Sequence, residues 1–435
     1  MQNQEQFTYG KTASLHTLGC RLNSAETAQL TQNFTKRGFR IVPFGEPSDV
    51  AVVNTCTVTD QADSSCRNLI RKAKRNSPEG RVVVVGCYAQ MEPDAIAEIE
   101  GVDLILGTNQ KYRIFEYLDT EEELVINVDM DKEFHGAATT PEDSHTRAFL
   151  KIQDGCNYIC SFCIIPQARG RSRTISTEKC LFEANRLVSN GFKEIILTGV
   201  NIGEYTRSSG ESFEELVKKL LDVDGLERLR LSSVEPNTVT EELLKILSDS
   251  PKAMDHFHLP LQSGSDHILK LMRRKYTISE YQEKLMMVKD YFPSAGIGAD
   301  IITGFPGESD EEFEKTMSFL RENPITHFHP FPYSKRKNTL AAKMDCHVHP
   351  TAKKRRMQEL IALGEAKLSV FTEDQVGTIS DVLFERRNKL GQWEGYTSNF
   401  LKVKMESNKH LKNSIEEVRL ELDNKDNILK AVSLF

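Results

Sequence analysis

The run QDGCNYICSFC, residues 153–163, carries three cysteines, Cys156, Cys160 and Cys163, in the spacing C-x3-C-x2-C. That spacing gathers three thiolates on one short loop. Three thiolates suit a cubane iron–sulfur cluster of four irons and leave one iron open to chelate a small molecule. An electron-transfer cluster would require a fourth cysteine. A structural zinc site requires a closed set of four ligands, often two C-x2-C pairs, and no second pair or paired histidine stands nearby. The run follows AFLKI (148–152), an apolar stretch that reads as a strand.

Downstream the same alternation repeats. Strand candidates are EIILTG (194–199), LRLSS (229–233), HFHLP (256–260), GADIITG (298–304) and THFHPF (326–331). Helical stretches fall near 176–190, 212–222, 239–249, 278–292 and 309–322, the last opened by the capping text SDEEFEKT. Six strand–helix units predict a partial (βα)6 TIM-like barrel over 146–372, with its active edge at the C-terminal ends of the strands. The cysteine loop follows the first strand and lies on that edge. His256 and His258 alternate on one strand and face one side. They read either as acid–base or ligand residues or as hydrogen-bonded core histidines.

Upstream, residues 1–118 read as a second, parallel α/β domain. ASLHTL (13–18), DVAVVNT (49–55) and RVVVVG (81–86) are strand-like, with helices expected over 23–37 and 60–76. Cys20, Cys56 and Cys87 each stand just past one of these strands. Parallel strands share one C-terminal edge, so separations of 36 and 31 residues collapse to one cluster of thiols. Gly19 and Gly86 precede two of them, where bare backbone permits close approach. Asn54 and Thr55 read equally as donors to cluster sulfurs or as strand-end residues satisfying backbone. Cys66, Cys180 and Cys346 read as bystanders. The acidic and polar text of 119–145, with one short strand candidate, reads as a linker.

Composition fits a soluble enzyme of several domains. The chain has 435 residues and a formal charge of −7, so any RNA contact must use local basic patches. No stretch approaches the roughly 18 apolar residues of a membrane helix, and the polar start MQNQEQFTYGK is unlike a signal peptide. Nine cysteines without a secretory signal predict metal or redox chemistry in the cytoplasm. A monomer is expected.

The flanking text QDGCNYICSFCIIPQARGRSR, together with the words LGCRLNSAET, VNTCTVT and VGCYAQ, resembles the methylthiotransferase branch of the radical S-adenosylmethionine (SAM) enzymes. The resemblance implies that Cys156, Cys160 and Cys163 hold the cluster whose open iron binds SAM. It implies that Cys20, Cys56 and Cys87 hold a second, auxiliary [4Fe–4S] cluster. Strand-end position and resemblance together assign SAM contacts to Phe162, Thr198, Gly199, Asn201, Ser233, Glu235 and Gln262. Residues 373–435 read as a five-strand β-barrel and resemble the TRAM domain, a small RNA-binding module. Arg386, Arg387, Lys389, Lys402 and Lys404 interleave there with Trp393, Tyr396 and Phe400, a mixture suited to phosphates and bases. Phe384 and Phe400 are expected in its core. Further basic runs are Arg67, Arg71, Lys72, Lys74 and Arg75; Arg169, Arg171 and Arg173; and Lys335, Arg336 and Lys337. Those flanking the active edge are candidates for phosphate contacts.

GCRLNSAET, SSVEP and YSKRKNTLAA resemble the tRNA branch that converts N6-threonylcarbamoyladenosine, beside the anticodon, to its 2-methylthio form. The isopentenyladenosine branch usually has a GCQMN-like word in the first motif. Asn338 stands where the family usually has Gly. The family mechanism uses one SAM to methylate a sulfur at the auxiliary cluster and a second to generate a radical that takes hydrogen from adenine C2. The expected partners are a tRNA anticodon stem-loop, an electron donor and a sulfur donor, with no membrane. The alternatives are the isopentenyladenosine enzyme, a ribosomal-protein aspartate methylthiotransferase, and a non-enzymatic iron–sulfur RNA-binding protein.

Overall fold

The structure is a computed structural model and describes residues 10–120, 124–130, 133–139, 146–423 and 428–433. The N-terminal sheet contains β1 (Thr12–Thr17), β2 (Arg40–Ile41), β3 (Val50–Thr55), β4 (Arg81–Gly86), β5 (Leu104–Leu106) and β6 (Val125–Asn127). All pair in parallel, in the order β2-β1-β3-β4-β5-β6. The valine runs of β3 and β4 are central and covered on both faces, which is why they are continuous rather than alternating. Helix α1 (Arg21–Lys36) buries Leu30 and Phe34 against one face. Helix α2 (Asp60–Asn76) starts on a Thr59 cap with Asp60 and Asp63 in its first turn. Helix α3 (Cys87–Met91) begins directly at the end of β4.

Sequence reading predicts three strands here, and the sheet has six. The additional ones are two or three residues long, too short to carry a period. β6 and β7 (Ala137–Ala138) lie in the stretch expected to be a linker. β6 completes the N-terminal sheet, and β7 pairs antiparallel with β8 (Ala148–Lys151) of the next unit.

After β8 the short strands β9 (Gln153–Asp154) and β10 (Arg173–Thr174) pair antiparallel and close the cysteine loop at its base. The series continues with β11 (Glu194–Thr198), β12 (Arg228–Leu231), β13 (His256–His258), β14 (Gly296–Thr303) and β15 (His327–Pro332). β8-β11-β12 and β13-β14-β15 are parallel sheets, joined by bridges Leu229↔Ala253 and Ser233↔His258. Among the described residues no pairing closes β15 onto β8, so the barrel is partial, as six units predict.

Alternation along these strands sorts the side chains. Leu150, Leu197, Leu229, Phe257, Ala299 and Ile301 pack outward into the core shared with the helices. Lys151, Glu194, Arg230, His256, His258, Asp300 and His329 occupy the opposite face, toward the lumen. The lumen is therefore charged, an arrangement that costs stability unless the charges are paired or used.

Helix Pro350–Asp374 leads to β16 (Ile379–Arg387), β17 (Trp393–Thr397), β18 (Lys402–Met405), β19 (Ile415–Asp423) and β20 (Ile428–Ser433), a closed barrel in the order β16-β17-β18-β20-β19. Val382, Phe384, Trp393 and Val403 fill it. Phe400, expected in that core, is not there. It sits at φ 72° in the turn after β17 and faces the larger barrel, 4.6 Å from the His256 ring. Arg230 fastens this turn by donating to the Ser398 carbonyl (2.9 Å), and Arg228 donates to the Asp381 carbonyl of β16 (2.8 Å). Among the described residues no helix is long and apolar enough to cross a membrane.

Candidate active site

Cys156, Cys160 and Cys163 lie on the loop between β9 and β10, at the C-terminal edge of the barrel. The Tyr158 amide donates to the Cys156 sulfur at 3.3 Å, and Arg274 Nη1 donates to the Cys160 sulfur at 3.3 Å. Arg274 is held by Glu235 and by the Tyr276 hydroxyl. Glu204 accepts from the Asn157 amide at 3.0 Å and fixes the first turn of the loop. Arg274 and Glu204 escape sequence reading because neither lies in a recognisable word. Only the fold brings them to the thiols.

The expected SAM-contact residues gather around this loop. Phe162 and Cys163 line a cavity of about 240 Å³ with Gln262, Asp300 and Tyr333, and Val58 and Thr59 of the N-terminal domain close one side. Gln262 adopts φ 64° and ties β13 to β14 through bonds to Asp300 and Ile302. Thr198 is buried at the end of β11 and passes its carbonyl to the Ile152 amide. A Cβ on Gly199 would stand 2.9 Å from Gln153 Oε1. The bare backbone there lets Gln153 cross over and accept from the amides of Val200 (2.9 Å) and Asn201 (2.8 Å). Asn201 is buried, yet neither its side-chain oxygen nor its nitrogen has a partner, and Ser232 Oγ is likewise unpaired. Buried polar atoms are almost always satisfied, and these have no hydrogen-bond partner within the protein. Ser233 bridges β12 to β13. Glu235 is engaged with Arg274; burial pushes its carboxyl up despite that partner.

The second thiol set forms as strand topology requires. Cys20 caps α1, Cys56 follows β3, and Cys87 opens α3. Burial pushes the Cys56 thiol up to about 12, with the Cys87 and Cys20 thiols adding to the effect. Burial also pushes Cys156 and Cys163 up to about 12, again with contributions from the neighbouring thiols of their own loop. Thiols in such surroundings keep their protons at neutral pH unless a cationic centre displaces them. Within each set the thiols are close enough to influence one another. Yet among the described residues no three Cys, His, Asp or Glu side chains converge as one metal ion would require. Three thiol donors to a set, without a fourth, fit a four-iron cluster that keeps one iron open, whereas a structural zinc takes four ligands.

Gly19 keeps φ +108°, and a Cβ there would fall 2.7 Å from Cys56 Cβ. The glycine is needed for the approach of two cysteine-bearing turns to each other. Gly19→Ala is therefore expected to disrupt the N-terminal site and lower iron content by about half, one cluster of two, while SAM cleavage persists; paired iron and 5′-deoxyadenosine assays check this. Asn54 and Thr55 turn out to be structural. Asn54 Nδ2 donates to the Asn23 carbonyl (3.1 Å) and Thr27 Oγ1 (3.0 Å), and Thr55 Oγ1 donates to the Val85 carbonyl (2.6 Å). Cys66 is fully buried beside Cys56, donating to its carbonyl. Cys180 is buried in the barrel core, and Cys346 is exposed.

A buried ion network joins the two sets. Glu26 of α1 receives Lys111, Lys151 (2.8 Å) and Arg169 (2.9 and 3.0 Å). Asp154 receives Lys151 (2.7 Å) and Arg169 (3.0 Å). Arg169 also donates to Asn23 at 2.6 Å. Glu26, Lys111, Lys151 and Arg169 are essentially inaccessible. Asp154 stands two residues before Cys156, and the Arg169 guanidinium opposes the burial penalty on the Cys87 thiol. Arg169 is thus internal, and the half-buried Arg173 is turned inward, donating to the Arg169 carbonyl and lying 3.5 Å from Asp154. Arg336 is also internal: it binds Asp60, Asp63 (2.6 Å), Ser334 and the Thr57 carbonyl next to Cys56. Asn338 takes φ 66°, the left-handed conformation for which Asn is the next best residue after Gly.

In the lumen His258 Nε2 stands 3.1 Å from Asp300 Oδ2 and its ring is 5.0 Å from that of His329. Burial would raise Asp300, but His258 and His329 bring it below the usual carboxylate range. Burial holds His256 well below the usual imidazole value, with Arg230 and His327 adding to the effect. Burial, with Arg147 and Arg230, pulls Arg21 down to about 10, so it remains a cation at neutral pH.

On the small barrel Arg386, Arg387 and Lys389 are exposed, and Arg387 lies 4.9 Å over the Trp393 ring. Arg147, Arg387, Trp393, His410 and Lys412 line a groove of about 840 Å³ between the barrels. Lys402 pairs with Glu394 at 2.7 Å. Lys404 is buried and pairs with Asp423 at 3.1 Å, which sets it apart from the other four.

Residues 150–320 match the Radical SAM superfamily and residues 12–107 match the Uncharacterized protein family UPF0004. The chain is 37% identical to the threonylcarbamoyladenosine tRNA methylthiotransferase MtaB of Bacillus subtilis (strain 168), over 94% of this chain and 93% of that one. It is 38% identical to the protein of the same name from Aquifex aeolicus (strain VF5), over 92% and 97%. The tRNA-2-methylthio-N(6)-dimethylallyladenosine synthase of Acetivibrio thermocellus is 31% identical, over 94% and 88%. Among solved structures, the radical S-adenosylmethionine methyltransferase TsrM from Kitasatospora setae, with cobalamin and a [4Fe–4S] cluster bound, superposes with TM-score 0.54. It covers 76% of this chain and 77% of its own at 15% identity.

Proposed function

The chain belongs to the radical SAM tRNA methylthiotransferases, and on that footing we propose that it adds a methylthio group to C2 of N6-threonylcarbamoyladenosine beside the tRNA anticodon, at position 37. The cofactors of this family are two [4Fe–4S] clusters and SAM. Cys156, Cys160 and Cys163 are proposed to hold the SAM-binding cluster, and Cys20, Cys56 and Cys87 the auxiliary one. When bound, the two clusters supply radical generation and activated sulfur, respectively.

The observation that carries the reading is the buried network of Glu26, Asp154 and Arg169, which ties both thiol sets to one rigid frame. Chemistry divided between two centres needs their separation fixed, because misplacement of the reacting groups costs rate steeply. The unpaired Asn201 amide is proposed to bind the polar groups of SAM. Phe162 and Gln262 line the cavity proposed for the nucleoside, and Thr198, Gly199, Ser233 and Glu235, at or just past the ends of β11 and β12, are proposed to complete the SAM site. Arg274 acts through Cys160 as a positioning residue. Val58 and Thr59 close the cavity from the other domain and help exclude water.

The segments divide the work: 1–118 for the auxiliary cluster, 119–145 as connection, 146–372 for SAM, and 373–435 for RNA. Arg386, Arg387, Lys389 and Lys402 are proposed to meet phosphates of the anticodon stem, while Lys404 serves the fold through Asp423. The target base must be unstacked to reach the lumen, as recognition in an RNA loop permits. An electron donor and a sulfur donor are required partners, and the cytoplasm is the proposed compartment.

The substrate reading is supported by 37% and 38% identity to the threonylcarbamoyl enzymes of Bacillus subtilis and Aquifex aeolicus, against 31% to the dimethylallyl enzyme of Acetivibrio thermocellus. Anaerobic holoenzyme with SAM and reductant is expected to convert threonylcarbamoylated tRNA and leave isopentenylated tRNA largely unchanged. Nucleoside mass spectrometry reads both products. Equal or reversed conversion would overturn the choice of substrate.

A further inference from the structure

Arg21 is the residue after Cys20 and the first of α1. It is half-buried, and its guanidinium carbon stands 5.9 Å from the centroid of the Phe400 ring, which packs against His256 of the charged lumen. The cations around it have their own carboxylates. Arg147 donates to Glu385 at 2.7 Å, and Arg230 donates to Glu194 at 2.7 Å, with Arg228 at 3.6 Å from the same Glu194. Among the described residues Arg21 has neither an ion pair nor a hydrogen bond. A half-buried guanidinium set among two others without a partner is unfavourable. It is best explained by an anion that arrives with the substrate.

We propose that Arg21 is a specificity-determining residue that binds the carboxylate on the N6 substituent of the substrate adenosine. The inference rests on the substrate reading above. A threonylcarbamoyl group ends in a carboxylate, whereas an isopentenyl group is a hydrocarbon with nothing for a guanidinium to hold. The guanidinium matches a carboxylate with two parallel N–H donors, which gives direction as well as attraction. A base presented to the sulfur site beside Cys20 brings its N6 side chain toward the next residue of the chain. The Phe400 ring and the stacked Tyr396 ring, 4.9 Å away, form an apolar wall that limits water around the pair. His329 and His256 lie on the same lumen face, and burial first of all lowers both below the usual imidazole value, so they do not compete with Arg21 for an anion at neutral pH.

The test is equilibrium binding of anticodon stem-loop RNAs to anaerobically reconstituted protein. The RNAs carry threonylcarbamoyladenosine, its neutral carboxamide, isopentenyladenosine or plain adenosine at the target position. Wild type is expected to bind the acid about tenfold more tightly than the carboxamide. Arg21→Gln is expected to remove that difference by weakening the acid alone, and Arg21→Lys to restore part of it. Equal wild-type affinity for acid and carboxamide overturns the proposal whatever the variants do. Retained discrimination in Arg21→Gln, with iron content at the wild-type level, overturns it as well. A wild type that prefers isopentenylated RNA overturns the substrate reading and this inference together. Preference for the acid with discrimination kept in Arg21→Gln defeats this inference alone.

Discussion

Serine in place of Cys156, Cys160 or Cys163 is expected to abolish cleavage of SAM, whereas serine in place of Cys20, Cys56 or Cys87 is expected to leave cleavage running and remove the methylthio product. The two sets sit at the C-terminal edges of two different sheets. Each is built from turns that the other does not share, so a lesion in one need not dissolve the other. Loss of one loop thiol would remove a ligand from the cluster proposed to bind SAM. Loss of an N-terminal thiolate leaves the cavity lined by Phe162, Gln262 and Asp300 intact. Cleavage and product formation should therefore separate by residue, with effects of several orders of magnitude on the blocked step. Anaerobic assays of 5′-deoxyadenosine and modified nucleoside read the two steps independently. Normal methylthio product from the Cys20, Cys56 and Cys87 variants would make those residues ordinary core cysteines.

The second large effect is expected at the network between the domains. Arg169→Met leaves Glu26 and Asp154 short of a cation, and Glu26→Gln leaves Lys111, Lys151 and Arg169 short of an anion. Breaking a buried pair by removing one partner costs about 3–5 kcal/mol. Either change should therefore lower the unfolding midpoint markedly and uncouple SAM cleavage from product. The acid dependence follows from the same groups. Burial alone would raise the carboxyl of Glu26, but Arg169, Lys111 and Lys151 hold it well below its ordinary value of 4.5. Burial would likewise raise Asp154, and Lys151 and Arg169 hold it below its ordinary 3.8. A carboxylate depressed in the folded state contributes stability that is complete above its unfolded value and is lost as pH falls toward its folded one. Wild type should lose stability as pH drops below about 4.5, and Glu26→Gln should show a shallower loss over the same window. Thermal unfolding at a series of pH values measures both.

Much of this was legible before any coordinates. The valine runs at 50–53 and 82–85 and the cysteines that follow them announce a parallel sheet with thiols on one edge, and that is the arrangement found. The six barrel strands and the longer helices between them are equally plain, because apolar strand text and helical stretches alternate six times in succession. β5 and β7 were illegible since two or three residues carry no period, and β6 falls in the stretch read as a linker with one short strand candidate. The basic residues were misleading for a different reason. Arg169 and Arg336 stand in runs that resemble solvated surface, but the chain folds each against carboxylates distant in sequence, Glu26 for one and Asp60 with Asp63 for the other. Sequence spacing has no access to pairs separated by more than a hundred residues. Phe400 was misplaced because a residue in a turn at positive φ leaves the alternation of its strand. Arg274, which donates to a cysteine sulfur, lies 114 residues from it and was silent in the sequence.

The central claim is that one chain holds two separate cluster sites, and the most direct measurement is iron and sulfide content with Mössbauer spectra on anaerobically reconstituted protein. Wild type is predicted to hold about eight irons per chain, all in four-iron clusters. Replacing Cys156, Cys160 and Cys163 together should leave about four, and so should replacing Cys20, Cys56 and Cys87 together. A wild-type content near four irons, or stoichiometric zinc in place of iron, would contradict the account.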